Sequence, residues 1–223
     1  MIHSYSSISC FHEVCPRQYY ERYVSKTAPF VDSPELRKGK EDHKSLELRL
    51  LHDQALPEHL AVCEPICVAV ESRGIPQLEV KMAVDKDLQE TGFWDGDAWI
   101  RGALDLNLMP RDWSNAFVID WKTGKNREAG KEPLQLMLSA AYVMAYYPEC
   151  QSVVAANVYT VSGKMGTVHT WQRSELPTIW RTVVPLITEI ENALDRGPDG
   201  FPERPSGLCG YCPVLKCQHN RSK

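Results

Sequence analysis

Two periods of hydrophobic and polar positions run along the chain, and the switches between them mark its elements. Residues 8–24 predict a helix with Tyr19, Tyr20 and Tyr23 on or near one side. Ser33-Pro34-Glu35 reads as a helix start, a capping Ser followed by Pro at the first helical position. That helix is expected to run to about Gln54 and to carry His43, Leu46, Leu50 and Leu51 at helical spacing. Strands are predicted over 61–71 from β-rich composition, over 77–84 from strict alternation, and over 98–109 and 116–121, with turn chemistry at 110–115. An apolar helix follows from about Pro133 to Tyr147, then strands near 152–160 and 165–172 joined through Ser162-Gly163-Lys164. A last helix spans about 175–196, with Pro185 a candidate bend, before a Gly- and Pro-rich tail. This order predicts an α/β fold, one mixed sheet flanked by helices.

Composition narrows the picture. At 223 residues and 43% hydrophobic, the chain can build a core that buries roughly 70% of its unfolded surface. No run approaches the ~18 apolar residues of a membrane span, and Met-Ile-His-Ser-Tyr-Ser-Ser lacks a basic, then apolar, leader. A cytoplasmic protein is therefore expected, or one of the host cytoplasm if phage-encoded. A net charge of −4 gives no global pull toward nucleic acid, which argues against a passive DNA coat but not against a local basic groove.

The sharpest chemistry lies in Gly102-Ala103-Leu104-Asp105 and Val118-Ile119-Asp120-Trp121-Lys122-Thr123-Gly124. Each Asp interrupts or ends an apolar strand, where a carboxylate is costly unless paired or bound to a cation. Two of them on adjacent strands favour a hard cation such as Mg²⁺ or Mn²⁺. Lys122 lies two residues past Asp120, so both side chains point to one face of an extended strand. On this spacing alone a structural Asp–Lys ion pair is an equal reading.

The surrounding residues resemble the RecB-like branch of the PD-(D/E)XK nucleases, which includes CRISPR-associated and phage-type exonucleases. Five ordered segments carry the resemblance: Ser6-Ser7-Ile8 through Cys15-Pro16-Arg17-Gln18-Tyr19-Tyr20; Gly39-Lys40-Glu41-Asp42-His43; the two Asp segments; and Gln135-Leu136. It implies a restriction-endonuclease-like fold in a single domain over 1–223. His43, Asp105, Asp120 and the backbone carbonyl of Trp121 would bind Mg²⁺ or Mn²⁺, and Lys122 would be catalytic together with the two aspartates. Glu79 is a further acid candidate, or else the exposed partner of Lys81. The implied activity is exonucleolytic hydrolysis of DNA by metal-activated water, on free or single-stranded ends. Gln135 would contact substrate, but Ser139 stands where the family's motif has Tyr, with Tyr142 three residues on. Lys125 and Arg127, in the loop after the lysine, are candidate phosphate contacts. Tyr19, Tyr20 and Trp94 are candidates for stacking on unpaired bases.

Eight cysteines without an export signal favour metal ligation over disulfides. Cys63 and Cys67 lie in an apolar run and read as small buried hydrophobes. Cys209, Cys212 and Cys217 form a Cys-x2-Cys-x4-Cys run that needs a fourth ligand. The resemblance implies Cys15 and a structural [4Fe–4S] cluster, joining 1–30 to 197–223 as a subdomain with a metal-closed tail; Cys10 or His219 as the fourth ligand would point to Zn²⁺. Two other functional classes stay open: a non-catalytic DNA-binding scaffold that kept the fold, and a Zn-binding interaction module.

Overall fold

A computed structural model describes residues 1–110, 113–124 and 133–222. The chain divides into two units, Met1–Ile2 with Ser33–Trp180, and His3–Asp32 with Arg181–Lys223. Among the described residues no helix is long and apolar enough to cross a membrane.

In the first unit, α3 (Pro34–His52) begins as its sequence predicts, with the Ser33 hydroxyl accepting from the Leu36 amide at 3.2 Å. It ends two residues short of the expected Gln54, because Asp53 takes a left-handed conformation (φ 54°). The predicted strand at 61–71 is helix instead: a 3₁₀ turn over Glu58–Cys63 leads into α4 (Glu64–Glu71). The buried positions Leu60, Cys63, Cys67 and Val70 show why, since their spacing of three and four is helical. Arg49, buried on α3, ties the two helices by bonding both Glu64 and Glu71.

The sheet contains β1 (Ile75–Val84), a two-residue β2 (Glu90–Thr91) that sequence patterning does not reach, β3 (Ile100–Met109), β4 (Asn115–Lys122), β5 (Ser152–Tyr159) and β6 (Lys164–Gln172). Their order is β2-β1-β3-β4-β5-β6, antiparallel except for the parallel β4–β5 pair. A parallel pair needs a crossover, and α5 (Pro133–Tyr146) supplies it. The mixed sheet flanked by helices is the expected fold class. Leu106, Leu108, Ile119, Trp121 and Val158 form a core with Leu46 and Leu50 of α3 and with Cys67 and Val70 of α4. Cys63 and Cys67 are fully buried in it.

One irregularity shapes this sheet. Glu79, in the middle of β1, has φ 51°, a left-handed backbone that costs a non-glycine residue on the order of 1–3 kcal/mol. The ladder registers Leu78 with Leu106 and Val80 with Leu104, but Glu79 and Asp105 between them do not pair. The pleat turns over here. Leu106 and Leu108 face the α3/α4 core, whereas Gly102, of the same parity, lies where a Cβ would come within 2.8 Å of the Tyr142 ring on α5.

The second unit takes in helices α1 (Tyr5–Ser9) and α2 (Pro16–Tyr19), each continued by a wider π-type turn, Cys10–Val14 and Tyr20–Val24. The single predicted helix over 8–24 is thus broken at Cys15, which is extended (φ −165°, ψ 123°) because Pro16 disfavours helical backbone in the residue before it. Helix α6 (Leu176–Asp195) runs through Pro185 without ending. Its residues Val183, Ile187, Ile190 and Ala193 are buried at helical spacing. Tyr19 stacks on Phe201 at 5.7 Å between ring centres, with Phe11 edge-on to both.

Candidate metal and catalytic site

The site grows from the irregularity in β1 and β3. The β3–β4 ladder stops at Leu106↔Ile119. Beyond it the Asp105 carboxylate takes over the strand's role, accepting the Trp121 amide at 2.8 Å. That bond orients a half-buried Asp105 whose other oxygen lies 3.4 Å from His43 Nδ1. The second ring nitrogen of His43 is 3.0 Å from the Trp121 carbonyl oxygen. His43 reaches this point because Gly39, one turn earlier on the same helix face, lets α3 approach: a Cβ there would stand 3.2 Å from Thr123 Oγ1.

Glu79 completes the cluster. His43, Glu79 and Asp105 offer ligand atoms that all lie within 4.8 Å of one another. One imidazole nitrogen and two carboxylates suit a hard or borderline divalent cation. Electrostatics point the same way. Partial burial and the neighbouring Asp105 charge push the Glu79 carboxyl above its ordinary range. Burial works against a charged His43 ring, but the Asp105 carboxylate, helped by Asp120 and the Trp121 carbonyl, outweighs it and raises the imidazole. Both shifts describe acids crowded together with positive charge in demand. The cluster opens into a cleft of about 530 Å³ along α3, which Lys40 and Lys44 also line.

Asp120 belongs to a different grouping from the one expected. Its carboxylate lies 2.8 Å from Lys122 Nζ, and the Gln135 amide donates to it; Lys122 in turn donates to Gln135 Oε1 at 2.8 Å. The Asp120, Lys122 and Gln135 side chains form a closed ring between β4 and the first turns of α5. Asp120 is absent from the His43–Glu79–Asp105 group, although its charge is felt at His43. Alternation along β4 explains the parting: Ile119 and Trp121 face the α3/α4 core, so Asp120 and Lys122 face α5. Glu79, by contrast, is brought in by the left-handed turn of β1, which strict alternation does not foresee.

Gln135 therefore holds the lysine and aspartate. Ser139, one turn on, bonds back to the Gln135 carbonyl at 3.0 Å, and Tyr142 is fully buried against β3. Lys125 and Arg127 lie outside the described residues. Lys81 does not pair with Glu79; its ammonium sits over the rings of Phe93 and Trp94. Lys40 and Lys44 were missed by motif reading, and their signal is their spacing one residue from Gly39 and from His43 on the same helix.

In the second unit, Cys15, Cys209, Cys212 and Cys217 line one small pocket of about 20 Å³ together with His219; Cys10 does not line it. Backbone amides point at two of the sulfurs, Arg204 N–H at Cys15 and Ser206 N–H at Cys209, each at 3.3 Å. His219 faces Glu203 at 3.4 Å.

The family model for the PD-(D/E)XK nuclease superfamily matches residues 77–217. No curated protein matches the chain. Among solved structures, the protein SSO0001 is similar at a TM-score of 0.50 and 15% identity, over 98% of this chain and 87% of that one. A Eubacterium rectale protein named as a candidate exonuclease is similar at 0.53 and 13% identity, over 97% and 88% respectively. At such identities these two likenesses bear on the fold alone.

Proposed function

This chain belongs to the PD-(D/E)XK nuclease superfamily, and from that premise we propose that it is a DNA nuclease dependent on Mg²⁺ or Mn²⁺ and acting on free DNA ends. The observation that carries the reading is the convergence of His43, Glu79 and Asp105, whose ligand atoms lie within 4.8 Å of one another. A scaffold that merely bound DNA would gain nothing from carboxylates facing phosphates.

We assign His43, Asp105, Glu79 and the Trp121 carbonyl as cation ligands, with Asp120 able to join from the adjacent group. The bound cation would supply Lewis acidity toward the scissile phosphate and acidify a water. The protein's own groups do the rest. The Trp121 amide fixes the Asp105 carboxylate. The Lys122 ammonium neutralises charge on the phosphate and holds the attacking water by hydrogen bonding. Gln135 keeps Lys122 and Asp120 aligned, so it serves as a positioning residue. Lys125 and Arg127 are retained as phosphate contacts on charge and sequence position alone.

A second metal centre is part of the proposal: Cys15, Cys209, Cys212 and Cys217 hold a structural [4Fe–4S] cluster. Supporting this are the shared pocket and the amides aimed at two sulfurs. Absorbance near 400 nm in anaerobically purified protein is expected; stoichiometric Zn²⁺ without it would favour the zinc reading.

The functional test is digestion of end-labelled linear and of circular DNA with Mg²⁺ or Mn²⁺. Linear DNA should be degraded from its ends and covalently closed circles spared. Cleavage of circles would overturn the end requirement, and no cleavage of either would overturn the nuclease reading.

A further inference from the structure

A second surface on the catalytic unit carries chemistry that the metal cluster does not use. Trp94 is 72% exposed, and such exposure of an indole is unusual unless something covers it. Its position is nevertheless fixed. The Arg101 guanidinium lies 4.8 Å from the Trp94 ring centre and 4.7 Å from that of Phe93. Lys81 Nζ stands 5.5 Å from the Trp94 ring, and Phe93 packs edge-on at 4.9 Å. Arg101 also donates to the Phe93 carbonyl at 3.0 Å. The turn itself is pinned, with Asp95 accepting the Gly92 amide, Asp97 accepting the Thr91 hydroxyl, and the Tyr146 hydroxyl donating to the Thr91 carbonyl. The two aspartates, which would otherwise repel an anion, are thus turned toward their own loop.

The ladder relates this platform to the cation cluster. Lys81 pairs with Ala103, and Ala83 with Arg101. Arg101, Ala103 and Asp105 alternate onto one side of β3, and Glu79 and Lys81 onto the matching side of β1. Two residues along a strand are ~6.6 Å, about the spacing of neighbouring nucleotides in an extended single strand. Exposed Ala103 leaves the path between them open.

We infer that Trp94, backed by Arg101 and flanked by Lys81, is a stacking platform for an unpaired base of a single DNA strand whose next phosphates lead toward the His43–Glu79–Asp105 cluster. A largely exposed indole held by a guanidinium and an ammonium meets the requirements of base stacking: exposed apolar ring area, adjacent cations and little ordering left to do. Duplex DNA keeps its bases stacked inside and has no base to offer. The inference rests on the nuclease reading and sharpens its substrate to a strand unpaired at its end.

The experiment measures binding without cleavage, in EDTA, by fluorescence anisotropy of a labelled oligothymidylate, a backbone-only abasic oligomer of equal length, and a blunt duplex. Trp94→Ala should weaken oligothymidylate binding about tenfold, with the abasic oligomer and the duplex changed less than about twofold; Trp94→Phe should restore most of the loss. Lys81→Ala should lower the slope of log K against log salt by about 0.7, the value for one phosphate contact on a single strand. Equal losses on abasic and base-bearing oligomers, or no loss on either, would overturn the platform. Cleavage that persists alongside such a result leaves the nuclease reading intact. A wild-type protein that neither binds nor cleaves DNA sinks both.

Discussion

The two candidate metal centres of this chain are built on opposite plans. The His43–Glu79–Asp105 cluster uses hard donors, opens into a cleft of about 530 Å³, and depends on a left-handed residue where two strands part. The cysteine pocket uses soft donors, encloses about 20 Å³, and has sulfurs already receiving backbone amides. An open site with strained backbone lets substrate enter and exchange; a closed, presatisfied one holds chain segments together. The first is expected to govern rate with little effect on stability, and the second stability with an indirect effect on rate.

Breaking the second centre should give the largest effect. Cys209→Ser, or removal of its metal, is expected to cost several kcal/mol, seen as a fall of more than about 10 °C in Tm by calorimetry. An unchanged melting curve would mean that the cysteines hold nothing. Next in size, Lys122→Ala should lower cleavage about a thousandfold while Tm moves little, since an ammonium aimed at phosphate acts on the reaction rather than on packing. A fold that collapses instead would return the Asp120–Lys122 pair to a structural role.

Smaller changes sharpen the same contrast. Gln135→Ala is expected to reduce kcat about tenfold through loss of alignment of Lys122, with Mn²⁺ affinity nearly unchanged. Glu79→Gly should go the other way: Mn²⁺ affinity falls about tenfold, but stability rises or holds because glycine accepts the φ of 51° without strain. A loss of both would show that the Glu79 side chain supports the sheet. The smallest effect is expected for Gly39→Ala. Helix propensity favours alanine by about 1 kcal/mol, while the 3.2 Å approach to Thr123 must relax, so Tm should rise slightly and activity fall a few-fold.

Much of this was legible in the residues. The Ser33-Pro34 start of α3, the alternation in β1, and the apolar runs of β3 and β4 specify their elements through local chemistry. The segment 61–71 misleads because its valines and isoleucine favour strand by composition, while its burial repeats every three to four residues. At the site, Asp105, His43 and Lys122 are marked by carboxylates in apolar strands and by motif spacing. Glu79 is marked only as a candidate acid, and that it rather than Asp120 converges with His43 and Asp105 is not legible, because it follows from one left-handed residue. No residue type announces that conformation when the residue is glutamate rather than glycine. The Arg101–Trp94 contact is tertiary as well, since it needs the turn after β2 folded over β3.

A single cation held by His43, Glu79 and Asp105 is what the geometry of this site predicts. Anomalous diffraction from crystals soaked in Mn²⁺ tests it most directly. A peak at about 2.1 Å from an Asp105 oxygen and a His43 nitrogen, with Glu79 or the Trp121 carbonyl also coordinating, is the predicted result. No peak there at saturating Mn²⁺, or one held solely by side chains outside this cluster, would contradict it.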